Sequence, residues 1–264
     1  MKNHPEFRNI LDLVTYFPTE EVCHKYLAKI RWGNEIVCPH CGCFRKIYTL
    51  KGGKLFKCAD CRKPFTVRIG TIFEDSALPL QKWFMAFYLV TAHKKGISSM
   101  QLARDIGVTQ KTAWFMLHRI RYCVNSGKFN KPMTGIVEMD ETFVGGKSKG
   151  RHGFYNNKTP VIGLVERNGR VVAAVAENVQ TKTIKEIVRK HVARGTQMMT
   201  DSFSAYERLG LDYPRESVNH RKGEYVRGNV HTNTIEGFWS LLKRGLVGIY
   251  HQASRKHLDK YIDE

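Results

Sequence analysis

Two Cys-x2-Cys knuckles constrain this chain more than any other feature. Cys38-Pro-His-Cys41 is followed, sixteen residues on, by Cys58-Ala-Asp-Cys61. Each knuckle places two thiolates at tetrahedral angles about a single ion, so the spacing predicts a four-cysteine structural zinc site. Lys46 to Tyr48 and Leu55 to Lys57 flank Gly52-Gly53 and read as two short strands between the knuckles. Reduced, unligated thiols are the plainer alternative, and Cys43 can stand in for Cys41 only by breaking the two-residue spacing. Cys23 and Cys123 lie in apolar, helix-like surroundings and read as packing residues.

Charge narrows the partner. The 264 residues carry 43 Lys and Arg against 24 Asp and Glu, a formal +19. Up to Thr134 there are 22 basic and 9 acidic residues, so the N-terminal half holds most of the excess. Such a field concentrates polyanions and binds nucleic acid in a salt-sensitive way. Arg45, Lys46, Lys51, Lys54, Lys57, Arg62, Lys63 and Arg68 surround the knuckles, with Asp60 opposing them. A solvated charged surface and acidic membrane lipids are the competing readings, and no Lys-rich amphipathic helix favours the second. The longest apolar run, Trp83 to Val90, is eight residues, far short of the roughly 18 a membrane span needs. No apolar leader follows Met1, and a cytoplasmic protein is expected.

Beyond the knuckles, Pro79 opens an amphipathic stretch with Trp83, Phe84, Phe87 and Tyr88, expected as a core helix to about Ala92. Ser98 or Ser99 caps a short helix through Ile106, Gly107 turns the chain, and Thr109 caps a second helix from Gln110 to about Tyr122. This pattern predicts a helix-turn-helix with Leu102, Ala103, Ile106 and Val108 inside. Gln110, Lys111, Thr112 and Trp114 then stand where a recognition helix meets base edges. A generic helical hairpin reads the same way.

After a linker with Ser126, Gly127, Lys131 and Pro132, strand patterning takes over. Gly135 to Asp140 reads as a buried strand, followed by a glycine-rich basic loop over 145–158. Val161 to Val165 and Val171 to Val175 form a hairpin turned at Asn168-Gly169. A helix over Thr181 to Val192, a strand from Gln197 into Asp201, a helix over Phe203 to Leu209, a weak strand near Ser217 to His220 and a helix over Asn233 to Lys243 complete a mixed α/β layout. The expected domains are 1–75 (helical start and zinc ribbon), 76–130 (helix-turn-helix) and 131–264 (α/β).

Three carboxylates fall at informative points. Asp140 ends one strand, Asp201 ends another, and Glu236 lies in the first turn of the last helix. Converging there, they would hold two divalent cations about 4 Å apart, the arrangement for in-line attack on a phosphodiester. Lys243 lies two helical turns beyond Glu236 and so shares its face, aiming a cation at phosphate. Any single Asp at a strand end is more simply a turn residue. Glu138 shares a face with Asp140 and is a candidate support or third ligand. Glu141 points to the opposite face, and Asn233 is either a helix cap or a weak oxygen ligand in place of Glu236.

At these residues the chain resembles bacterial insertion-sequence transposases with a zinc ribbon, a helix-turn-helix and an RNase H-like catalytic domain of the DDE type. Val137-Glu-Met-Asp140-Glu-Thr-Phe-Val-Gly-Gly-Lys147, Thr200-Asp201-Ser-Phe-Ser-Ala-Tyr206 and His231-Thr-Asn-Thr-Ile-Glu236-Gly-Phe-Trp-Ser-Leu-Leu-Lys243 carry the resemblance, beside both knuckles and Gly70-Thr-Ile-Phe-Glu74. It implies Asp140, Asp201 and Glu236 as a triad for magnesium or manganese, with Lys243 beside it. It also implies cleavage at transposon ends, transfer of the 3′-hydroxyl into target DNA, and a homodimer or larger assembly on double-stranded DNA. The chain stops at Glu264, inside what reads as a helix that relatives extend. Two other functions share parts of this pattern: a transcription regulator needs only the ribbon and helix-turn-helix, and an RNase H-like nuclease would have the triad without strand transfer.

Overall fold

The computed structural model describes residues 5–124, 131–146, 158–251 and 253–264. Most of the expected glycine-rich loop and of the linker lies outside them. By contacts the chain divides into two compact units, Met1–His93 with Ile97–Cys123, and Lys94–Gly96 with Val124–Glu264.

The first unit opens with α1 (Ile10–Tyr16), capped by Asn9, and α2 (Glu20–Trp32), capped by Thr19. A small antiparallel sheet follows, ordered β1 (Ile47–Leu50), β2 (Leu55–Cys58), β3 (Pro64–Phe65). The turn between β1 and β2 uses Gly52 and Gly53 at φ of 65° and 87°, a conformation in which a side chain is strained. Phe56 stacks on Phe65 at 5.6 Å, and Trp32 meets Phe56 edge-on at 5.2 Å, so aromatic rings supply the core that so small a sheet lacks. Arg68, expected on the basic surface, turns inward instead. It donates to the carbonyls of Ser76 and Leu78 and to Glu20, whose second oxygen accepts from Leu80 N at 2.7 Å. The partly buried carbonyls of Ser76 and Leu78 need donors, and Arg68 supplies them.

Helices α3 (Leu80–Ala92), α4 (Ser99–Ile106) and α5 (Gln110–Val124) complete this unit. Their core gathers Leu80, Trp83, Leu102, Met116, Leu117 and Ile120, with Phe17 of the N-terminal region. The aromatic stripe of α3 is therefore packing, as its helical spacing predicts.

The second unit centres on a five-stranded sheet ordered β6-β5-β4-β7-β8. Its strands are β4 (Ile136–Gly145), β5 (Lys158–Glu166), β6 (Val171–Val175), β7 (Gln197–Asp201) and β8 (Arg215–Val218). β4, β5 and β6 form an antiparallel meander, while β7 and β8 run parallel to β4. One face packs on α6 (Thr181–His191) and a 3-10 helix over Ser204–Leu211, through Met139, Leu164, Ile184, Val188 and Tyr206. The other packs on α7 (Asn233–Gly245) and α8 (Leu258–Ile262), through Val161, Val165, Ile235, Trp239 and Leu258. A two-stranded ribbon, β9 (Val226–Arg227) with β10 (Val230–His231), precedes α7.

Two local expectations change. β4 runs five residues beyond Asp140, because Asp140 and Glu141 each find a donor on opposite faces and β5 pairs along the whole strand as far as Gly145. The segment after Asp201 is 3-10, not α-helical; Asp201 Oδ1 accepts from Phe203 N at 2.9 Å and tightens its entry. Among the described residues no helix is long and apolar enough to cross a membrane.

Candidate functional site

The four knuckle cysteines come together. Cys38 Sγ lies 3.7 Å from Cys61 Sγ and Cys41 Sγ 3.7 Å from Cys58 Sγ, and all four sulfurs fall within 4.8 Å of one another. Zinc at about 2.3 Å from each sulfur sets tetrahedral S···S separations of about 3.8 Å, so the sulfurs already have the spacing of a bound ion's shell. Backbone N–H groups of Cys61 and Asp60 lower the Cys58 thiol to about 7, toward the thiolate a metal needs. Cys43 stays outside the cluster, its carbonyl accepting from Cys38 N. Cys23 is fully buried in the helical core, and burial pushes its thiol up to about 11.

The helix-turn-helix also forms. Ser98 Oγ accepts from Gln101 N at 3.1 Å, Gly107 adopts the left-handed conformation at φ 62°, and Thr109 Oγ1 accepts from Thr112 N at 3.2 Å. Lys111 is exposed at the start of α5. Its neighbours are partly engaged: Gln110 Nε2 donates to Ser99 Oγ at 2.8 Å, and the Thr112 hydroxyl lies 2.8 Å from that of Thr109. Trp114 is exposed, its ring 4.1 Å from that of His118 and tilted 55° to it.

In the α/β unit, register brings two of the three carboxylates side by side. Ile136, Val137 and Glu138 of β4 pair in parallel with Gln197, Met198 and Met199 of β7. The paired register ends at Glu138 and Met199; carried on by two residues it sets Asp140 against Asp201, and alternation then puts both on the α7 face of the sheet. Burial raises the Asp140 carboxyl to about 7, helped by the negative charges of Glu141 and Asp201. Glu141 points to the other face, where it accepts from the Tyr206 hydroxyl; burial raises both groups.

Glu236 is exposed in the first turn of α7, with Oε1 accepting from Thr232 Oγ1 at 2.9 Å and lying 3.8 Å from His220 Nε2. Asn233 and Lys243 are exposed on the same helix. Among the described residues the cysteines are the one set of three or more metal-capable side chains with ligand atoms within 4.8 Å of each other, so Glu236 does not close on the aspartates to that distance.

Trp239 and Gly163, which shape this site, were not singled out in the sequence, whereas Glu138 was a candidate support or third ligand. Trp239 Nε1 donates to Asp140 Oδ2 at 3.0 Å. Its indole lies over Gly163, the β5 partner of Asp140; a Cβ there would stand 2.5 Å from Trp239 Cζ2 and 2.8 Å from Ile235 Cδ1. Thr232 makes no side-chain cap for α7. The cap comes instead from Glu138, wholly buried, whose Oε2 accepts from Thr234 N at 2.8 Å and Ile235 N at 3.1 Å. Its Oε1 accepts from Arg167 Nε at 2.8 Å and Thr234 Oγ1 at 2.9 Å. The local signal for a helix start, a polar residue just before the first turn, names Thr232 or Asn233 and carries no trace of a strand carboxylate about a hundred positions away.

Comparison with known proteins shows the family. Residues 132–264 match the ISXO2-like transposase domain, and residues 18–64 match the transposase zinc-ribbon domain. An uncharacterized protein in transposable element ISH50 of Halobacterium salinarum is 31% identical over 268 residues, covering 93% of this chain and 89% of that protein. An uncharacterized transposase-like protein of Haemophilus influenzae is 27% identical over 96 residues, covering 36% of this chain and 76% of that one.

Proposed function

Because the chain belongs to the ISXO2-like transposase family, we propose that it cuts phosphodiester bonds at the ends of an insertion sequence and joins the freed 3′-hydroxyl to target DNA. Asp140, Asp201 and Glu236 are the residues that would hold two magnesium or manganese ions for this chemistry. The observation that carries the reading is the juxtaposition of Asp140 and Asp201 on one sheet face, beside the helix that bears Glu236.

The donor set suits hard dications: the groups are carboxylate oxygens, and a bound cation would offset both the burial that chiefly raises Asp140 and the added repulsion from Glu141 and Asp201. Bound there, such ions would acidify the attacking water or hydroxyl and neutralise the charge on the leaving oxygen. Trp239 holds Oδ2 of Asp140 and so fixes which way its carboxylate faces. Glu236 keeps acceptor capacity beyond its bond to Thr232. Lys243, about 10 Å along the helix from Glu236, supplies a cation for a flanking phosphate. Glu141, occupied by Tyr206 on the other face, is structural in this scheme.

The N-terminal half is assigned to end binding. The zinc ribbon within 1–75 and the helix-turn-helix within 76–130 present basic surface to the DNA backbone and Gln110, Lys111 and Thr112 to base edges, while 131–264 performs the chemistry. Joining two ends calls for at least two protomers. The test is an assay of purified protein on DNA carrying its element's terminal sequence, with Mg2+ or Mn2+. Nicked product with a 3′-hydroxyl that goes on to join target DNA is expected. Binding without cleavage would make the protein a regulator, and cleavage without joining a nuclease.

A further inference from the structure

Glu138 is the most fully engaged carboxylate of the α/β unit. An ionised carboxylate offers about four lone-pair positions, and four donors reach it: Arg167 Nε, Thr234 Oγ1, Thr234 N and Ile235 N, at 2.8 to 3.1 Å. His231 Nδ1 stands 3.2 Å from Oε1 as well. A charge buried this completely persists only when paired and hydrogen-bonded, and these donors meet that condition. They also leave no oxygen lone pair for a metal ion. Glu138 is therefore not the third ligand that its place on the Asp140 face suggests.

What it grips is the start of the helix carrying Glu236. Two of the four orphan N–H groups of α7 end on Glu138, where a negative charge also complements the helix dipole. Arg167, at the end of β5, extends the hold by donating to the carbonyls of Asn229 and His231, at 2.8 and 3.2 Å, on the segment that leads into α7. A second attachment follows at Trp239 and Asp140. The attachments are two residues apart on β4, about 7 Å, and four or five residues apart on α7, about 6 to 7.5 Å. The spacings match, so helix and strand run alongside each other and cannot slide or rotate without breaking both contacts.

We propose that Glu138, with Arg167, is a positioning residue that sets the height and rotation of α7 over β4, and so places Glu236 relative to Asp140 and Asp201. This rests on the metal-site reading above. Glu138→Gln is its nearest isostere: the amide nitrogen turns a donor toward groups that are themselves donors, and half of the clamp is lost.

The experiment uses the full chain and three readouts: amide hydrogen exchange, Mn2+ affinity by electron paramagnetic resonance, and end cleavage. For Glu138→Gln we expect the Thr234 and Ile235 amides to lose protection, Mn2+ affinity and cleavage each to fall about 10- to 100-fold, and end binding to hold. Thr234→Val removes only the hydroxyl donor and should shift all three in the same direction by less, which keeps the test informative if Glu138→Gln does not fold. Val188→Ala, in the core on the opposite face, should lower the melting temperature without moving Mn2+ affinity. Wild-type Mn2+ affinity and cleavage in Glu138→Gln, despite the exposed amides, would overturn the proposal. So would a loss of Mn2+ as complete as in Asp140→Ala, which would make Glu138 a ligand. If Asp140→Ala itself binds Mn2+ and cleaves like the wild type, the metal-site reading fails instead.

Discussion

The cysteine cluster and the proposed carboxylate site draw on the chain in opposite ways. In the ribbon each pair of sulfurs comes from one turn of chain, and a single short β-hairpin joins the pairs. In the α/β unit Asp140 and Asp201 come from parallel strands, and Glu236 from a helix whose start is fixed by a carboxylate roughly a hundred residues earlier. The first site is local and gains its rigidity from the metal it holds. The second depends on strand register and helix placement, so residues that never touch a metal can control it.

The sharpest break of this comparison lies in the ligands themselves. Asp140→Ala or Asp201→Ala should reduce end cleavage to background while leaving DNA binding intact, and Glu236→Ala should do the same; a cleavage and gel-shift pair of assays reads both. Glu141→Ala should retain measurable cleavage. Loss in Asn233→Ala with full activity in Glu236→Ala would move the third ligand one turn back.

Zinc removal tests the other region. Metal analysis should find one zinc per chain, and a strong chelator should unfold the ribbon, because binding of about 10 kcal/mol or more is folding energy in such sites. The α/β unit should keep its melting transition. A stoichiometry near zero, or zinc retained when all four cysteines are replaced, would contradict the assignment.

Local spacing explains why the ribbon and the helix-turn-helix were legible in the sequence. Cys-x2-Cys, Ser98, Gly107 and Thr109 act on neighbours within a few residues, and the structure uses them as that spacing implies. The positions of Asp140 and Asp201 at strand ends also raised the expectation that the two carboxylates converge. What stayed hidden acts across the sheet. Gly163 looks like an ordinary strand residue until Trp239 lies on it, Arg68 looks like surface charge until its carbonyl partners are known, and the choice for Glu138 between support and third ligand turns on its four donors.

Smaller effects sharpen the dependence on helix placement. Trp239→Phe keeps the ring but removes the N–H that holds Asp140, and cleavage should fall about tenfold with DNA affinity unchanged. In Gly163→Ala the new methyl meets the indole, and chemical denaturation should show a loss of about 1–3 kcal/mol.

A pH titration probes Asp140 without any substitution. Asp140, raised from 3.8 to about 7, keeps a proton in the metal-free folded state that the unfolded chain releases. Its contribution to stability is therefore greatest on the acidic side, declines as pH rises from about 4 to about 7, and stays constant above. Divalent cations compete with that proton, so their affinity should climb through the same window and level off above about pH 7. A pH-independent Mn2+ affinity between 5 and 8 would detach Asp140 from the ion.

The central claim is that Asp140 and Asp201 share a metal ion on one face of the sheet. Anomalous diffraction from crystals of the full chain soaked in Mn2+ tests it most directly. A manganese peak at about 2.0–2.3 Å from a carboxylate oxygen of both residues, with Glu138 bound to Thr234, Ile235 and Arg167 as in the metal-free protein, is the predicted result. Manganese bound by Glu138 or Glu141, with none bridging Asp140 and Asp201, would contradict it.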